Sequence, residues 1–168
     1  MSLKKLQKSG LCMEKYFIRN GINLYKISGE KFKTTIVSVK IHCPLDIQTA
    51  TANALLPLIL KLGSNEHPTM SSIELELAKL YGAELKAYIE KKGEDQILCL
   101  EFKGIRDKYV NDSEDILIKL CKLMLSVVFS PLTINNGFSP AYVELAKNNL
   151  SDMIDALLND RREYALYR

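Results

Sequence analysis

The sequence has only two histidines and no Cys-x-x-C pair, and both shortages restrict its metal chemistry. Its four cysteines, Cys12, Cys43, Cys99 and Cys121, are scattered. Zinc clusters and redox motifs need close pairs, and disulfide scaffolds need a higher density. Cys43, Cys99 and Cys121 sit in apolar-patterned segments, where a free cysteine acts as a small buried hydrophobe. That pattern implies a reducing, cytoplasmic setting. The eight glycines never cluster into a phosphate-binding loop. No G-x-S-x-G is present, and no third group accompanies either histidine to suggest a triad.

Long hydrophobic runs and charge of one sign are also missing. Stretches such as Ala54 to Leu60 fall far short of the ~20 residues of a spanning helix. The N-terminus lacks the apolar core of a secretory signal. With 23 basic and 20 acidic residues, the net charge is +3 and well mixed. Phosphate binding needs a concentrated basic face, so neither nucleic acid nor membrane is an expected partner. Lys4, Lys5 and Lys8 read as a solvated terminus.

What is present is an ordinary globular composition, 168 residues with 47% hydrophobic and 26% charged, enough for one domain with a core. Asn23–Ile27 and Thr34–His42 alternate as strands, with Ser28–Lys31 as the turn between them. In the second strand Val37, Val39, Ile41 and Cys43 share the better apolar face, and His42 lies opposite. Helix-like periodicity runs from Ile47 to Leu62 and stops at Gly63. Pro57 should kink that helix or mark its start. Ser64–Pro68 is a turn, and Ser71 or Ser72 caps a second helix that buries Ile73, Leu77 and Leu80. Ala83–Glu90 and Gln96–Phe102 form an antiparallel hairpin. Ser113 caps a helix over Ile116–Phe129, with Leu117, Leu120, Cys121, Met124, Val127 and Val128 inward. After a loop over 130–137, a last helix runs from Pro140 to Arg168. Acidic pairs such as Glu74 and Glu76 read as favourable helix N-terminal charges. Antiparallel strand pairs with helices between them predict an α+β fold with helices packed on one side of the sheet.

Gly63 to Ala87, GSNEHPTMSSIELELAKLYGAELKA, together with the order of elements, resembles the insulinase/pitrilysin-like zinc metallopeptidases. The resemblance covers roughly Gly21 to Arg168. It implies an N-terminal extension over 1–20 and a peptidase-like domain over 21–168, truncated at the C-terminus. In that family His-x-x-Glu-His on the first helix binds zinc and activates water. Anchored on Gly63, the three positions fall on Ala54, Pro57 and Leu58, and the third ligand falls near Met153 or Asp152. None of Ala54, Pro57 and Leu58 can bind a metal. The implied branch is therefore the non-catalytic bacterial one, with no cofactor in this chain and zinc only in its active relatives.

That branch implies a partner or chamber half of a peptide-processing pair. The partner would be a homologous active peptidase subunit or the second half of a longer chain. The matching peptide-binding edge strand is Lys86-Ala87-Tyr88-Ile89, where backbone groups would hold an extended peptide. Lys86 stands where the family has asparagine, and a lysine also protects an ordinary edge. Two rivals are an active zinc-dependent peptidase with displaced ligands, drawing on His42, His67 and Asp152, and a stand-alone protein-interaction module. Leu157, Leu158, Tyr164 and Tyr167, in a helical pattern that runs to the end, imply that the fragment self-associates.

Overall fold

The computed structural model describes residues 4–8, 11–110 and 115–159. They divide into two compact units, one ending at Lys33 and one starting at Thr34.

The first unit is a three-stranded antiparallel sheet, β1 (Lys4–Lys8), β2 (Leu11–Arg19) and β3 (Ile22–Gly29), in that order. Residues 11–19, read from sequence as part of an extension, thus form a central strand. The strand expected over Asn23–Ile27 exists, but its partner is β2 and not the Thr34 strand.

The second unit is built on a sheet of β4 (Thr34–Pro44), β5 (Glu84–Lys92) and β6 (Asp95–Ile105), ordered β4-β6-β5 and antiparallel throughout. The β5–β6 hairpin turns through Gly93 at φ 64, a conformation that glycine adopts without a Cβ clash. Register sets the two faces. Val39, Leu100 and Ala87 lie in one row, as do Val37, Phe102 and Leu85, and these rows face the helices. The adjacent row of Lys40, Cys99 and Tyr88 faces the other way.

Among the described residues there are four α-helices, in chain order α1 (Ala50–Leu62), α2 (Met70–Lys79), α3 (Ile116–Phe129) and α4 (Pro140–Asn159). α1 packs on β5 and β6, α3 packs on β4 and β6, and α4 packs against α1. The main core joins Ile73 and Leu77 of α2, Leu120 and Val127 of α3, and Leu100 and Phe102 of β6. A short hairpin, β7 (Thr133–Ile134) and β8 (Gly137–Phe138), occupies the loop before α4. The fold is α+β, with antiparallel sheets. Among the described residues no helix is long and apolar enough to cross a membrane.

Several local expectations need correction. Thr69, not Ser71 or Ser72, caps α2: its hydroxyl accepts from Ser72 N at 3.2 Å, and Ser72 Oγ accepts from Thr69 N at 3.1 Å. A serine thus takes the reciprocal role more often filled by glutamate or glutamine. On α3, Ile116 and Leu123 are buried and Leu117 is exposed, so the inward stripe is rotated from the expected one. Pro57 does not start α1, which begins at Ala50 and runs through it. Ser113, Tyr164 and Tyr167, and the side chains of Leu157 and Leu158, lie outside the described part.

Candidate functional site

α1 begins where Asp46 folds the chain back. Its carboxylate accepts from Gln48 N at 2.7 Å and its carbonyl from Ala50 N at 2.8 Å. The helix ends at Gly63, where a Cβ would meet Pro68 O at 2.7 Å, so this close backbone crossing requires glycine. The turn after it is tied on every side. Ser64 N donates to His67 O at 2.7 Å, and His67 N donates to Ser64 Oγ at 3.1 Å. Ser64 Oγ shares a buried 3.0 Å hydrogen bond with Ser126 Oγ of α3. Tyr142 of α4 donates its hydroxyl to Pro68 O at 2.7 Å. Glu66-His67-Pro68 therefore lies in a turn joined by hydrogen bonds to α3 and α4, with the His67 backbone bonded inside it.

The held helices leave an open cleft of about 400 Å³ between them. α1 contributes Leu58, Lys61 and Leu62, and α4 contributes Asn149, Asp152 and Met153. Met70 at the start of α2 and Ala87 of β5 complete the lining. Four sequence-derived positions thus meet in one place: Leu58, Asp152, Met153 and Ala87. Ala54 is half-buried and Pro57 buried on the same helix, but neither lines the cleft. Lys86 and Tyr88 fall on the opposite face of β5, while Ile89 shares the Ala87 face.

The donor set does not fit zinc. Leu58 offers no lone pair, Met153 only a weak thioether, and Asp152 is the single carboxylate in the lining. No three of the described His, Cys, Asp and Glu side chains converge on a metal position. His42 is exposed on β4, on the face away from the helices, and His67 is half-buried in its turn.

A second polar cluster lies on the outer sheet face, and sequence periodicity gave no sign of it because it joins three strands. Lys40 Nζ donates to Glu90 Oε2 at 3.1 Å, and Tyr88 OH donates to Glu101 Oε2 at 3.4 Å. Cys99 is fully buried between these residues. Burial, and then Glu90, pushes its thiol pKa up, while burial followed by Glu101 raises the Tyr88 phenol. The hydrogen bond to Glu90 holds Lys40 more firmly protonated. A thiol kept neutral and covered is a poor nucleophile. This cluster packs the sheet face.

No protein-family model matches the chain. By sequence it is similar to a protein named as a probable inactive metalloprotease. That relative is "Probable inactive metalloprotease YmfF" of Bacillus subtilis (strain 168), 32% identical over 148 residues, covering 88% of this chain and 35% of that protein. The fold is similar to the crystal structure of a conserved protein from Enterococcus faecalis V583, with a TM-score of 0.76 at 26% identity. That match covers 85% of this chain and 33% of the other. The chain spans about a third of the length of both relatives.

Proposed function

We propose that this chain is a catalytically inactive, insulinase-like domain, the partner or chamber half of a cytoplasmic peptide-processing pair. One observation carries the reading. Leu58 and the Asp152–Met153 pair share one cleft beside the edge strand β5, with side chains there that cannot assemble a zinc site. Catalysis would come from a homologous active subunit or from another part of a longer chain. β5 would contribute a backbone edge for an extended peptide, because strand addition needs N–H and C=O groups more than particular side chains. A stand-alone interaction module is the second reading, favoured by the same free edge if no peptidase accompanies it. An active enzyme with displaced ligands would need three converging donors.

Metal analysis tests the central point. Purified chain should carry no stoichiometric zinc, and chelator should leave its thermal unfolding unchanged. Installing Ala54→His, Pro57→Glu and Leu58→His together should still give no chelator-sensitive peptide cleavage. One tightly held zinc per wild-type chain would overturn the inactive reading.

A further inference from the structure

The cleft has a composition that selects among ligands. β5 is hydrogen-bonded to β6 along one side, and among the described residues nothing pairs with its other side. A strand laid there would alternate, so every second side chain would point toward α1 and α4, as Ala87 does. Those side chains would meet Leu58, Leu62, Met70 and Met153. Lys61 and Asp152 also line the cleft, and neither is ion-paired with the other or with any described residue. An apolar lining that carries one unpaired cation and one unpaired anion complements a ligand with an apolar group between opposite charges.

We propose that the cleft is a subsite for one apolar side chain of an extended peptide aligned on β5. Residues two positions to either side of that side chain, one acidic and one basic, would answer Lys61 and Asp152. The proposal rests on the edge-strand reading above and adds a sequence preference to it. Met153 is 54% exposed, so it can be changed at the cleft surface without opening the core.

The test is fluorescence anisotropy of the whole chain with labelled nine-residue peptides. Each carries glutamate and lysine two residues to either side of a central position, in both orders. With leucine at the centre, binding should be at least about tenfold tighter than with aspartate, given the burial of one aliphatic side chain. Met153→Asp should erase that preference. Lys61→Gln and Asp152→Asn should each weaken the leucine peptide several-fold and reduce its salt dependence. Backbone N-methylation on the β5-facing edge of the peptide should abolish binding. Equal affinity for leucine and aspartate peptides, with N-methylation still damaging, would overturn the subsite and leave strand addition standing. Binding indifferent to N-methylation, or no binding at all, would overturn both. A dimer that leucine peptide fails to compete with would assign the cleft to a second copy of the chain, and would also overturn the proposal.

Discussion

Two buried clusters in the second unit differ sharply in depth. Among the described residues, thirteen buried side chains join the sheet to α1, α2 and α3, whereas the cluster between α1 and α4 has only Leu55, Ile59 and Ala146 buried, with half-buried Leu58, Val143 and Leu150 packed against them. The large cluster closes around Phe102, Leu100, Ile116 and Leu120, each almost fully covered. The small one is bordered by half-buried side chains and opens into the cleft. The contrast separates what holds the fold from what lines the open cleft. A dense core tolerates little change in volume, because close-packed neighbours cannot refill a void. The α1–α4 junction has solvent on one side, so its lining can change chemistry at small cost.

Truncation in the dense cluster gives the largest expected effect. Phe102 is wholly buried on β6 between the sheet and the helices. Phe102→Ala should cost about 3–5 kcal/mol through lost transfer energy and a residual cavity. Urea denaturation followed by circular dichroism measures it. A loss below about 1 kcal/mol would mean that the cluster repacks freely, and the contrast between the two regions would disappear.

The hydrogen-bonded link between α1 and α3 should come next. Ser64 is fully buried, and its hydroxyl both accepts from His67 N and bonds Ser126 Oγ. Ser64→Ala leaves the buried Ser126 hydroxyl and the half-buried His67 N without this partner, at a cost of about 1–3 kcal/mol. Ser126→Ala should cost less when added to Ser64→Ala than when made alone, because the pair acts as one unit. Strict additivity in the same urea melts would show that the two hydroxyls do not depend on each other.

The unequal legibility of the sequence follows the same division. Periodicity located α3 over Ile116–Phe129, the apolar face of β4 and the β5–β6 hairpin, because each is a local pattern that burial enforces. Pairing between distant segments was not legible. Thr34–Pro44 bonds to Asp95–Ile105, and no local signal directs it there and away from the neighbouring β3. The Thr69 cap was missed because serine stands where a capping box more often has glutamate or glutamine. The inward face of α3 was misread because Leu117 and Ile116 are both apolar, so tertiary contacts choose between them. For the site, the resemblance supplied positions 58, 87, 152 and 153, but it could not show them sharing a cleft. Lys61, Leu62, Met70 and Asn149 joined that lining only through packing.

The smallest expected effect on stability falls at Leu58, within the cleft. Leu58 is half-buried on α1, whereas the next residue, Ile59, is 7% exposed in the α1–α4 cluster. Leu58→Ala removes apolar surface that already borders solvent, so water can enter and no sealed void remains. Alanine is also at least as good a helix former as leucine, which offsets part of the loss. The net change should be below about 1 kcal/mol, a fraction of the Phe102 value. The same substitution should still reduce the preference for a leucine-centred peptide, since Leu58 is part of the surface such a side chain would meet. Paired urea melts and anisotropy titrations of Leu58→Ala check both halves. A loss of several kcal/mol would show that the cleft is part of the folding core, and its apolar lining would then need no ligand to explain it.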